Sequence, residues 1–277
     1  MNTDQLMKLA LEMACLAEVP GDSAVYHPGD AIENVMVGID IKAAELKIAA
    51  DRGFDAAISH HPTGGKARLQ FYRVLYRHVD QMTSVGMPSE IAQPMIDQLA
   101  EEHRAMAAMS NYDHDPSVAR LLNLPYMNIH TPLDEIGRRR LQTAADELAA
   151  TSTADDLMSH LLASFGEFRH ADTEIELRMG KPENAIGKVV MSHGAGTNGG
   201  YSVAKAYFDH GVDTVIYIHC RPADSKKLIA EFGDSKNLII TGHIASDSIG
   251  INPYVERLRQ RGIEVTTLSG IIPGGAE

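Results

Sequence analysis

Short apolar runs rich in Val, Ile and Ala alternate along this chain with longer stretches whose apolar positions recur at helical spacing. The first long stretch, residues 4–18, reads as an amphipathic helix that stops near Pro20-Gly21. Residues 35–41 (VMVGIDI) then read as a strand, 43–52 as a helix, and 55–59 as a second strand running into His60. That order predicts a βαβ unit with its chemistry at a strand C-terminus, where strand ends and loops leave a crevice. Helical spacing dominates from 68 to 104, broken near Gly86-Met87-Pro88, and returns at 116–124. Strand 126–129 delivers His130, Thr131 and Asp134, and helices follow at 135–149 and 154–165, the second with Thr153 as its N-cap.

From Gly166 onward the strand candidates are 173–178, 188–192, 214–218, 238–241 and 264–268, separated by helices at 201–210, 224–232 and 253–261. Asn252-Pro253 reads as the start of that last helix, since Pro at the first position loses no needed hydrogen bond, and Gly262 reads as its stop. The pattern predicts an α/β protein of two lobes with mostly parallel sheets, residues 1–165 and 166–277, without a residue-level repeat.

Composition narrows the class. Of 277 residues, 44% are hydrophobic and 22% charged, enough apolar surface for a sizeable core. Lys plus Arg number 25 against 37 Asp plus Glu, a net charge of −12 that on average repels a polyphosphate backbone and disfavours nucleic-acid binding. Cys15 and Cys220 are too few for a disulfide scaffold or a Cys-rich zinc site, which fits a reducing cytoplasm. Residues 1–20 lack a basic n-region, and no apolar run approaches the roughly 20 residues of a membrane span, so a cytoplasmic protein without membrane contact is expected.

Four motifs could carry chemistry. Ser59-His60-His61-Pro62-Thr63-Gly64 leaves a strand end. An adjacent His pair is unremarkable among 13 His, but two imidazoles held by a short Pro/Gly turn suit metal ions as well as they suit a surface loop. In His243-Ile244-Ala245-Ser246-Asp247 one helical turn would set imidazole and carboxylate on one face, although Asp247 could equally begin a helix. His130-Thr131-Pro132-Leu133-Asp134 offers a carboxylate either as a metal ligand or as a helix cap. Gly194-Ala195-Gly196-Thr197-Asn198-Gly199 matches G-x-G-x-x-G between a strand and a helix. The next strand ends at Ile218-His219-Cys220-Arg221 without the acid a ribose would need, which leaves an NADP site through Arg221 or a close-packed turn. Walker, nucleophile-elbow and H-E-x-x-H patterns are absent from the sequence.

In order along the chain, V-x-V-G-I-D, A-I-S-H-H-P, H-T-P-L-D, S-H-G-A-G, G-V-D-T-V-I-Y and T-G-H-I-A-S-D together resemble the NGG-interacting factor three family of dinuclear-metal proteins, some of them filed as a second type of GTP cyclohydrolase I. The resemblance implies that fold, with a metal site in the cleft between the lobes. It implies as ligands His60 and His61, Asp134, His243 and Asp247, the last where the family usually carries Glu. It further implies two divalent ions, for which zinc, iron or manganese suit a mixed His/carboxylate set better than magnesium. A helical insert at about 66–124 lengthens the stretch between His61 and Asp134, with His114 and Asp115 as reserve ligands. The expected activity is metal-assisted hydrolysis, of cyclohydrolase or phosphoester type, on a nucleotide-like or small phosphorylated substrate, with His130 as a catalytic proton shuttle or substrate contact. A metal-binding regulatory scaffold without turnover and an NADP-binding enzyme are the other readings. A homohexamer is implied by the resemblance alone.

Overall fold

The computed structural model describes residues 1–275, which form two compact units. One comprises Met1–Val74, Ala100–Ile136 and Gly250–Ile271; the other comprises Leu75–Leu99, Gly137–Ile249 and residues 272–275. In chain order the elements are α1 (Thr3–Ala14), β1 (Ala24–His27), β2 (Asn34–Gly38), α2 (Ala43–Arg52), β3 (Ala56–Ser59), α3 (Gly65–Leu69), a 3-10 turn (Phe71–Tyr76), α4 (Arg77–Ser84), α5 (Ser89–Ala108) and α6 (His114–Leu122). Then come β4 (Tyr126–Asn128), α7 (Thr131–Asp146), α8 (Ala154–Ser164), α9 (Gly166–Arg169), β5 (Glu176–Met179), β6 (Val189–Met191) and α10 (Gly200–Asp209). The chain closes with β7 (Thr214–Tyr217), α11 (Pro222–Phe232), β8 (Asn237–Ile240), α12 (His243–Gln260) and β9 (Glu264–Leu268). No described helix is long and apolar enough to cross a membrane.

The first unit carries a five-stranded sheet in the order β1-β4-β3-β2-β9, parallel except for β1, which runs antiparallel to β4. β2 and β3 read as continuous apolar runs because both faces are covered. Val35, Val37, Ala56 and Ile58 point into a core with Leu6, Leu9, Tyr254 and Leu258, while Met36 and Ala57 point the other way, to Leu46, Ala119 and Tyr126. α1 opens with a capping box in which Asn2 and Gln5 exchange side-chain and backbone bonds.

The second unit holds a four-stranded sheet, β5-β8-β7-β6, parallel except for the antiparallel β5. Its core gathers Leu141, Leu157, Leu161, Phe165, Met191, Ile216, Ile239 and Ile249. β6 is an edge strand, and Gln142 closes it: Oε1 accepts from Met191 N (2.7 Å) and Nε2 donates to Val189 O (3.3 Å), so one side-chain amide stands in for a neighbouring strand. Two mostly parallel sheets in an α/β chain are what the alternating pattern predicts.

Three local expectations are corrected. β1 is a strand that the half-buried sequence Ala24-Val25-Tyr26-His27 does not announce. Strand 264–268 belongs to the first sheet, beside β2, rather than with the strands that precede it. The helix expected to begin at Asn252-Pro253 begins instead at His243 and runs through Pro253. Pro253 removes the N–H that would bond the carbonyl four residues back, and Arg140 Nη1 takes up that carbonyl, Ile249 O, at 2.7 Å.

Candidate metal centre

In the first unit β3 ends in Ser59 and hands the chain to His60 and His61, whose amides continue the ladder by bonding Gly38 O and Ile39 O. Pro62-Thr63-Gly64 then turns under the half-buried Tyr26 and the buried Tyr126. Tyr26 Oη accepts from Thr63 N (3.2 Å), and Tyr126 Oη meets Thr63 Oγ1 (2.7 Å) and donates to Ile41 O. Burial pushes the Tyr26 phenol up to about 12 and Tyr126 upward as well, so both hydroxyls keep the proton these bonds require. The turn carrying the His pair is therefore clamped rather than loose.

The adjoining strand β4 supplies the rest. Asn128, fully buried, accepts from Ala24 N and Tyr26 Oη and donates to Asp22 O and His60 O, filling the bonding capacity of its amide. β4 leads through Ile129 to His130, and α7 starts at Thr131. Asp134 therefore lies in the first turn of α7, not at its N-cap as the capping alternative would have it, and its carboxylate faces the imidazoles.

Each of the three imidazoles has its Nδ1 assigned to a different acceptor. His60 Nδ1 faces Ile129 O at 3.0 Å, His61 Nδ1 faces Asp40 Oδ1 at 3.1 Å, and His130 Nδ1 faces Asp22 Oδ2 at 2.7 Å. A carbonyl oxygen only accepts, so His60 must be protonated at Nδ1. Its Nε2 then stands 3.1 Å from Asp134 Oδ1, with both residues almost wholly buried. A neutral ring in that tautomer sets a lone pair against a carboxylate, an arrangement that calls for a proton or a cation between them. One ring nitrogen from each of His60, His61 and His130 lies within 4.8 Å of the others.

In the second unit α12 begins at His243, separated from the end of β8 by two residues, and His243 Nε2 lies 3.4 Å from the buried Asp247 Oδ2, as the four-residue spacing predicts. Asp247 is in the second turn, which removes the reading of it as a helix start. His219, just past β7, sets its ring edge-on to His243 with centroids 4.7 Å apart. Asn198 holds the end of that strand: Oδ1 accepts from Ile218 N (3.1 Å) and Nδ2 lies 3.4 Å from His219 Nε2. The glycine loop before α10 is thus tied down by its own Asn, and at Gly199 (φ +82°) a Cβ would come within 2.1 Å of Val203 Cγ2. Both features favour the close-packed turn over a dinucleotide cradle.

The donor set fits a transition metal. Ligand atoms about 2.0–2.2 Å from one ion, at tetrahedral or octahedral angles, lie about 2.8–3.6 Å from each other. The His60–Asp134 separation of 3.1 Å and the His243–Asp247 separation of 3.4 Å fall inside that range. His130 Nε2 lies 3.7 Å from Asp134 Oδ2, and its ring belongs to the same cluster of imidazoles. Ligating imidazoles whose other nitrogen is fixed by a carboxylate or carbonyl are the usual pattern around zinc. Imidazole with carboxylate suits zinc, iron or manganese.

Sequence reasoning missed Asp22, Asp40, Asn128 and His219. Asp22 directly follows the Pro20-Gly21 stop and Asp40 falls within the expected strand 35–41, so neither stands out by its local sequence; Asp40 N–H is itself held by Ser269 Oγ at 3.1 Å from far along the chain. Of the reserve ligands, Asp115 accepts from Ala43 N (3.0 Å) at the start of α2 and His114 is exposed, so neither joins the His group.

No protein-family model matches the chain, nor does any curated protein. Among solved structures it is similar to a NIF3 superfamily protein from Sphaerobacter thermophilus, 47% identical over 98% of both chains, with a TM-score of 0.92. It shares its fold with reduced HcgD from Methanocaldococcus jannaschii (13% identity, 97% and 98% of the two chains, TM-score 0.58). It also shares that fold with a Bacillus cereus protein related to NIF3 (9% identity, 97% and 96%, TM-score 0.54). The resemblance drawn from the ordered motifs is borne out: at 47% identity across 98% of its length, the chain belongs to the NIF3 superfamily.

Proposed function

We propose that this protein binds two divalent transition ions (zinc, iron or manganese) through His60, His61, Asp134, His243 and Asp247, and that it is a hydrolase of nucleotide-like or small phosphorylated substrates. The observation that carries the metal reading is His60, whose Nδ1 is committed to a backbone carbonyl while its Nε2 confronts the Asp134 carboxylate at 3.1 Å in a buried setting. A divalent ion bound there would supply Lewis acidity and lower the pKa of a water it holds.

The chain's own contribution is positional. Ile129 O and Asp40 fix the rings of His60 and His61, Asn128 anchors the backbone of His60, and the Tyr26–Thr63–Tyr126 cluster holds the turn after them. His130, beside the ligands, would accept or return the proton that hydrolysis moves.

The test is a turnover screen over nucleotides, cyclic phosphates and small phosphoesters with zinc, iron or manganese, before and after chelation. The proposal predicts turnover that chelator abolishes and metal restores. Bound metal with no turnover across the panel would favour the non-catalytic metal scaffold. Thermal stabilisation by NADP(H) would revive the dinucleotide reading. Hexamer formation, part of the same proposal, is read from the solution mass.

A further inference from the structure

Asp22 is a fully buried carboxylate, at 0% exposure, in the turn between α1 and β1, far in sequence from the His motifs and without an assigned role. Its environment is specific. Oδ2 lies 2.7 Å from His130 Nδ1 and accepts from Thr131 Oγ1 at 2.7 Å, and Oδ1 lies 3.4 Å from Ser23 Oγ. Asn128 Nδ2 holds the Asp22 carbonyl, and Ser23 Oγ accepts from His130 N at 2.9 Å. The Asp22-Ser23 turn therefore grips His130 at both backbone and ring. A buried carboxylate costs several kcal/mol unless compensated, so this one must be matched by hydrogen donors. A protonated Nδ1 is the strongest donor within its reach.

We propose that Asp22 is the positioning residue for His130, fixing it as the Nδ1–H tautomer so that Nε2 carries the lone pair. Nε2 is the nitrogen turned toward Asp134, at 3.7 Å. Only in this tautomer can His130 accept a proton from a group at that face; the reverse tautomer presents an N–H there and points a lone pair at a carboxylate. Buried carboxylate–histidine pairs impose this constraint in hydrolytic triads, where the carboxylate sets tautomer and orientation without taking the proton. The inference deepens the reading of His130 as the proton-handling group. Its structural content, though, concerns the metal-free chain and survives if no substrate is found.

The experiment is nitrogen-15 NMR of the imidazoles in the full-length, histidine-labelled, chelator-treated protein at pH 8, with His130 assigned from the signals missing in His130→Gln. Nε2 is recognised by its coupling to both carbon-bound ring protons and Nδ1 by its coupling to one. In the wild-type chain the inference predicts an unprotonated Nε2 and a protonated Nδ1. Protonation at Nε2 would overturn it. In Asp22→Ala, with fold checked by circular dichroism, the His130 Nε2 signal should move into the protonated range, the intrinsic preference of a free imidazole. An unchanged His130 pattern in the folded variant would overturn the inference, because a merely space-filling Asp22 leaves the tautomer alone. Should Asp22→Ala fail to fold, the wild-type measurement decides by itself. Absence of bound metal would count against the proposed function while leaving this tautomer result intact.

Discussion

His78 gives the sharpest prediction about stability. It lies in α4 at 0% exposure, on a helix tied to the loop before α10 by Arg77 Nε to Gly194 O and Gln81 Nε2 to His193 O, both 2.6 Å. Burial dominates its ionisation and holds it down to about 4 from an ordinary 6.5; contact with the Thr197 backbone opposes this, and the neighbouring Arg77 charge adds to it. Because the folded value lies below the unfolded one, the unfolded chain takes up the proton first. The stability contributed by the neutral ring is fully present above pH 6.5 and is lost as pH falls toward 4. From those two values the loss is about 2 kcal/mol at pH 5 and about 3 kcal/mol once pH is below 4. Urea unfolding at pH 8 and pH 5 of wild type and His78→Leu, with chelator present so that proton-linked metal release does not contribute, isolates the effect. The wild type should lose about 2 kcal/mol more than the variant between the two pH values. Equal losses would mean that His78 is protonated inside the fold or reached by water, and would rule out a neutral buried ring as the source of the pH dependence.

Arg140→Ala should lower stability by about 1–3 kcal/mol in urea, because it strips the donor from Ile249 O, which Pro253 has left without its helical partner; an unchanged midpoint would show the carbonyl satisfied otherwise. Gln142→Ala should cost a similar amount and speed amide exchange at Met191, whose N–H loses its acceptor at the edge of β6; unchanged exchange would contradict the role of the amide as a strand substitute. Gly199→Ala should destabilise by about 1–3 kcal/mol through positive φ and the clash with Val203, and adding Val203→Ala should recover part of the loss; no recovery would place the cost in the backbone alone.

The parallel sheets were legible because strands such as β2 and β8 are buried on both faces and therefore read as apolar runs, and because strand ends carry chemistry in such sheets. That logic led to His60, which follows β3 directly, to His130, separated from β4 by one residue, and to His243, separated from β8 by two. What stayed hidden depends on partners distant in sequence. β1 is half-buried on both faces and exists through pairing with β4, 102 residues away at Tyr26 and Asn128. The long α12 defied the Pro253 boundary because Arg140 on another helix supplies the missing donor. Asp22, just past the Pro20-Gly21 stop, and Asp40, inside the expected strand 35–41, show no role until the fold brings them to His130 and His61. The residues that would touch metal announced themselves by type and position, whereas those that orient them have ordinary local sequences.

The central claim is that the buried imidazole and carboxylate groups hold transition metal. Elemental analysis of the purified full-length chain, after incubation with zinc, iron or manganese and removal of excess, tests it directly. Metal binding by these residues predicts at least about one equivalent per chain, approaching two, and a clear fall in a His60→Ala/His243→Ala variant that remains folded. Less than about one equivalent, with no further fall in that variant, would contradict it.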